Sequence, residues 1–211
     1  MSLTKQTIDS IFHKDFIKQC FSFHNESKSF ILEDGIKTQR GYARISTTVR
    51  RKSKRTIAGH CALLLKLEKV GKAQWFKHFA EEKCADFGLL VHRHKDSVSA
   101  FVIECKETLD ATEWEKAKLQ LGAMIVRLRS VVGAINVRLH DVTCYTAFRR
   151  DPLSDKLVAS RRRKRVGQPR TQAATHRDWL NAEIELGQLG RFAHRKIELD
   201  QQGKGTLRLS I

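Results

Sequence analysis

Between Trp114 and Val132, the apolar residues Trp114, Ala117, Leu121, Ile125, Leu128 and Val132 fall at steps of three and four. That repeat marks the buried face of one helix. Thr112 followed by Glu115 has the form of a capping box, and Gly133 closes the run, so the spacing predicts a helix from Thr112 to Gly133. Upstream, Ala85–Val91 and Ser99–Thr108 are strand-like runs joined by His92–Val98, with Lys95-Asp96-Ser97 as turn chemistry. Together they predict a hairpin. Downstream, Val137–Phe148 predicts one or two further strands.

The flanks are less regular. Ile8, Ile11, Phe12, Phe16 and Ile17 predict an amphipathic helix over residues 3–20. A polar, basic stretch follows, with one strand around Tyr42–Val49. Ile57–Val70, rich in Ala and Leu and ending at Gly71, predicts a helix, and Gln74–Phe79 a short strand. Near the end, a helix from about Thr175 to Phe192 and a strand over Thr206–Ile211 are expected. These elements divide the chain into a basic N-terminal segment (1–56), a core (57–150) and a basic C-terminal extension (151–211).

Composition narrows the class. The 211 residues are 41% hydrophobic, enough for a packed core. No apolar run approaches the roughly 18 residues a membrane helix needs, so no membrane association is expected. Cys20, Cys61, Cys84, Cys105 and Cys144 are scattered and form no C-x-x-C, which fits a reduced, cytoplasmic protein better than a disulfide framework or a zinc ribbon. Neither a Walker loop nor a G-x-S-x-G elbow occurs.

The formal charge is +17, and its placement says more than its size. Lys37–Arg55 holds eight Lys/Arg and no acid; Arg149–Arg170 holds nine against two Asp. These two blocks carry +8 and +7, leaving the remainder nearly neutral. Concentrated basic blocks suit a polyanion, because counterions condensed on phosphates are released when Lys and Arg replace them. Arg50, Arg51, Lys52, Lys54 and Arg55 in the first block, and Arg161, Arg162, Arg163, Lys164 and Arg165 in the second, are the candidate nucleic-acid-binding residues. A solvated run or a targeting address is the bland alternative for the second block.

Within Phe101–Lys106 (FVIECK) an apolar run enters two charged residues at i and i+2. A strand sends them to one face, and ionisable groups inside a sheet are costly unless paired or metal-bound. If the hairpin pairs as written, Asp86 lies across from the Glu104/Lys106 end. Two carboxylates and an ammonium then converge, and hard oxygen donors of this kind suit Mg²⁺ or Mn²⁺. An edge strand with solvated Glu104 and Lys106 is the competing reading, and four consecutive apolar residues before Glu104 weigh against it.

Asp86 followed by Glu104-Cys105-Lys106, on a hairpin trailed by an amphipathic helix and a strand, resembles the PD-(D/E)XK nuclease superfamily over residues 57–148. The resemblance implies an α/β fold: a central mixed sheet with an αβββαβ restriction-endonuclease-like core, here flanked by the N-terminal helix and a basic C-terminal helical extension. It implies Asp86, Glu104 and the Cys105 carbonyl as ligands of Mg²⁺ (or Mn²⁺), with Glu68 as a further ligand from the first helix. It also implies Lys106 and Gln120 as catalytic partners. The activity implied is metal-dependent hydrolysis of DNA or RNA phosphodiesters. A homodimer or a subunit of a larger complex would both fit. No proline precedes Asp86, and Met124 stands where one exonuclease branch has tyrosine, which argues against that branch. Two alternatives stay open: a catalytically inactive nucleic-acid-binding subunit on the same fold, and a basic scaffold for an acidic partner.

Overall fold

The computed structural model describes residues 5–25, 29–34, 43–50, 61–65, 83–94, 96–156 and 177–210. Over these residues it is an α/β protein built in three layers: helices, a seven-stranded mixed sheet, and a three-stranded mixed sheet. Among the described residues no helix is long and apolar enough to cross a membrane.

In chain order the elements are α1 (Lys5–Ile11), α2 (Lys14–Cys20), β1 (Phe21–Asn25), β2 (Ser29–Asp34), β3 (Ala43–Arg50), β4 (Cys61–Leu65), β5 (Phe87–His94) and β6 (Ser97–Thr108). Then come α3 (Ala111–Ala134), β7 (Arg138–Arg150), β8 (Glu183–Glu185), β9 (Arg191–Glu198) and β10 (Lys204–Ser210). The large sheet runs β1-β4-β5-β6-β7-β9-β8, and the small one β10-β3-β2. β4, β5 and β6 form an antiparallel meander, whereas β6, β7 and β9 are parallel neighbours. α3 makes the crossover between parallel β6 and β7, the usual solution for joining parallel strands.

Strand alternation gives the large sheet two apolar faces. Val98, Ala100 and Val102 of β6 turn toward α3, joining Trp114, Ala117, Leu121, Met124, Ile125 and Leu128. Phe101 and Ile103 turn the other way, toward Leu32, Ile45, Leu207 and Leu209 of the small sheet. Burial on both faces explains why FVI reads as a continuous apolar run rather than an alternating one. α3 lies close against β5 at Gly88, where a Cβ would sit 2.9 Å from Met124 Sδ and 3.0 Å from a Leu128 methyl.

The hairpin, the strand near Tyr42–Val49, the long helix and the closing strand appear close to their expected bounds, and 137–148 is one strand. Four expectations are corrected. Residues 61–65 are β4, paired on both sides by β1 and β5, not part of a helix over 57–70. A short apolar run satisfies either element, and two hydrogen-bonding neighbours decide for the strand. The helix over 3–20 is two short helices, interrupted at Phe12-His13, where His13 takes extended geometry and its ring accepts from the Asp15 N–H. The helix expected to Phe192 is instead a 3₁₀ turn at Arg177–Leu180, β8, a second 3₁₀ turn at Gly187–Leu189, and β9. Gly187 and Gly190, at φ of 56° and 98°, stop an α-helix from running through that stretch.

The fourth correction is the start of α3. Its N-cap is Asp110, whose Oδ1 accepts from the Glu113 N–H at 2.9 Å, and Thr112 lies inside the first turn. Asp caps as well as Thr does. The helix passes Gly133 by one residue, and the left-handed residue that follows is Asn136, at φ 51°. The expected strand at Gln74–Phe79 lies outside the described residues.

Candidate active site

Three elements meet at the end of the β5–β6 hairpin away from its turn. The β5–β6 ladder pairs Phe87 with Ile103, so the next positions along it are Asp86 and Glu104. Asp86 does not continue the ladder. Its Oδ2 accepts the backbone N–H of Cys105 at 2.7 Å, which fixes the carboxylate against β6. A strand residue presents its N–H and C=O to the same side, so the Cys105 carbonyl also looks toward Asp86. One residue earlier, the Ala85 N–H donates to the Gln120 carbonyl oxygen at 3.0 Å, tying this segment to the middle of α3.

Glu104 and Lys106 share the α3 face of β6, as their i, i+2 spacing requires. The Glu104 side chain is 2% exposed, and its Oε1 lies 2.8 Å from Lys106 Nζ. The same ammonium donates to Gln120 Oε1 at 2.8 Å and lies 3.4 Å from Glu113 Oε2. Burial draws Lys106 toward neutrality. The Glu104 carboxylate at hydrogen-bond distance, with Glu113 and Asp86 behind it, outweighs that and holds the pKa above the ordinary lysine value. Glu113 is shifted the opposite way: the hydrogen bond from Lys116 at 2.7 Å is the largest cause, and Lys106 adds to it.

The structure therefore brings Asp86, Glu104, Cys105, Lys106 and Gln120 together. Glu68, Arg51, Lys52, Lys54, Arg55 and Arg161–Arg165 lie outside the described residues, and Arg50 is the last residue of β3. Sequence reasoning missed Glu113. It lies seven residues before Gln120 on the same helix face, a spacing already present in the expected helix Thr112–Gly133 but not linked to Lys106.

Among the described residues no group of three or more His, Cys, Asp and Glu side chains could hold a metal ion. The donor set at the hairpin end is of another kind: two carboxylates and a main-chain carbonyl. It is all oxygen, and its hardness fits Mg²⁺ or Mn²⁺, which keep several waters and need few protein ligands. Trp114 and Trp179 are fully buried, packing edge to face at 4.9 Å, so neither is a platform for a base. Cys84 and Cys144 are buried, and burial pushes the Cys144 thiol up to about 12, which removes it as a nucleophile.

No protein-family model, curated protein or solved structure matches this chain.

Proposed function

We propose that this protein is a metal-dependent nuclease of the PD-(D/E)XK type, hydrolysing phosphodiester bonds of DNA or RNA. The observation that carries the reading is the hydrogen bond from the Cys105 N–H to Asp86. It sets a carboxylate beside the Glu104–Lys106 pair, where the sequence spacing alone could only suggest one. The β4–β5–β6 meander, the α3 crossover and parallel β7 support the reading, because a restriction-endonuclease-like core would need a three-stranded meander, a crossover helix and a parallel strand. In this reading β4 would take the place of its first strand, residues 61–65 being a strand.

In this reading Asp86, Glu104 and the Cys105 carbonyl would hold the divalent ion. Bound there, the ion would polarise a phosphoryl oxygen and lower the pKa of the attacking water. Lys106 remains charged and holds its ammonium beside Glu104, where it would orient that water or offset charge on the phosphate. Gln120 keeps the lysine from swinging into solvent. The two basic blocks would grip the backbone without regard to sequence.

Incubating the pure chain with plasmid, single-stranded DNA and RNA, in Mg²⁺, Mn²⁺ or EDTA, tests the proposal. Cleavage that needs the ion supports it. Tight binding without cleavage in either ion replaces it with an inactive nucleic-acid-binding subunit, and absence of binding points to an acidic protein partner.

A further inference from the structure

An ammonium has three N–H donors. Around Lys106 three acceptors stand within reach: Glu104 Oε1 and Gln120 Oε1 at 2.8 Å, and Glu113 Oε2 at 3.4 Å. The side chain is 13% exposed, so water has little room to replace any of them. Two of the acceptors belong to α3, a rigid element capped by Asp110 and packed through Trp114 and Ala117. The third belongs to the strand that would also serve the metal.

This division matters if Glu104 ligates a divalent ion, an inference that rests on the nuclease reading. A carboxylate turned to a metal has less to offer an ammonium, and a lysine left with one partner would compete for Glu104 by pairing with it. We infer that Glu113 is a positioning residue: with Gln120 it retains Lys106 on α3, freeing Glu104 for the ion and leaving the N–H that Glu104 gives up for the phosphate or its attacking water. Glu113 reaches this position because Asp110, rather than Glu113 itself, caps the helix. Its other oxygen is anchored by Lys116 at 2.7 Å on the exposed side, which holds the carboxylate in a geometry that faces Lys106.

The experiment is a double-mutant cycle read as Mn²⁺ affinity without nucleic acid, by calorimetry or by the electron-spin signal of the free ion. Glu113→Ala is expected to weaken Mn²⁺ binding about tenfold, the size usual for a group that orients a metal ligand. In a Lys106→Ala background, the same Glu113→Ala change should alter the affinity less than about twofold, because the competing ammonium is gone. In cleavage assays kcat should fall about tenfold or more for Glu113→Ala, with KM for nucleic acid nearly unchanged. Glu113→Gln, which keeps an acceptor oxygen, should recover part of that loss, and Lys116→Ala, which removes the anchor of the other Glu113 oxygen, should fall between wild type and Glu113→Ala. An equal loss of Mn²⁺ affinity in both backgrounds would reduce Glu113 to a distant negative charge and overturn the inference. So would a Glu113→Ala protein that binds Mn²⁺ and cleaves as wild type does. If wild type itself cleaves nothing in any divalent ion, the nuclease reading fails and the inference goes with it, a result distinct from both.

Discussion

Asp86 is held by Cys105, not by the lysine beside it: its Oδ2 accepts the Cys105 N–H at 2.7 Å, while Lys106 turns to Glu104. The carboxylate thus has a structural duty and, in the proposed reaction, a ligand's duty. Asp86→Asn separates them. The amide oxygen can still accept from Cys105, and the loss of one of two neighbouring carboxylate charges relieves repulsion in the ion-free site. The variant should fold with stability within about 1 kcal/mol of wild type and lose cleavage by at least about 10²-fold. Denaturant melts beside a plasmid-nicking assay read both quantities. An Asp86→Asn protein that cuts normally would remove Asp86 from the site.

Lys106 faces a different balance. Removing the ammonium leaves Glu104 buried without its nearest cation. Breaking a buried pair from one side costs about 3 kcal/mol. Lys106→Ala is therefore expected to be both inactive and clearly less stable. Its affinity for nucleic acid should change little, since one charge among 40 Lys/Arg adds little to a polyelectrolyte attraction. Filter binding, chemical denaturation and cleavage on the same preparation check the three parts. Undiminished cleavage would mean the site is misassigned even if the protein is a nuclease.

The charge blocks make a prediction that does not depend on the hairpin. Neutralising Arg161–Arg165 should weaken binding on every sequence. On duplex DNA it should also lower the slope of log K against log salt by roughly 0.9 for each phosphate that these side chains no longer neutralise. An unchanged slope would show that these residues do not meet phosphate.

How much of this could be read from sequence follows from which rules are local. Glu104 and Lys106 on one face follow from strand alternation, and Asp86 near them from the pairing of one hairpin, so the centre of the site was legible. Gln120 was legible through the family resemblance alone. Glu113 was not, because its helical spacing from Gln120 points to Lys106 only once the strand's position against α3 is known; the helix start was missed too, because Asp110 and Thr112 can each cap it. The chain leaves β6 at Thr108, with Leu109 still bonded to the Arg150 carbonyl, and that tertiary tie selects Asp110. Cys61–Leu65 was misread because nothing in five apolar residues distinguishes helix from strand until β1 and β5 flank them. Residues 183–198 carried a warning in Gly187 and Gly190, and in the polar-apolar-polar order of Glu183, Ile184 and Glu185.

The last prediction concerns stability and a residue away from the proposed chemistry. His194 is 2% exposed on β9, packed against the rings of Trp114 and Trp179. Its Nε2 lies 3.1 Å from Thr146 Oγ1, and Nδ1 has no hydrogen-bond partner among the described residues. Burial, with Lys196 nearby, lowers its pKa from 6.5 to about 4. Charging this imidazole inside the core therefore opposes folding. In the unfolded chain the ring takes up its proton near pH 6.5, in the folded chain only near pH 4. The unfolded state binds more protons between those values, so stability is fully present above about pH 6.5 and falls as the pH drops toward 4. The full shift corresponds to about 3 kcal/mol. Urea melts at pH 7 and pH 5 should show wild type losing stability across that interval, and His194→Gln losing less, by about 1 kcal/mol or more. The variant will be weaker at pH 7, having lost ring packing on the two tryptophans. An equal pH dependence in both proteins would show that His194 is not the titrating group.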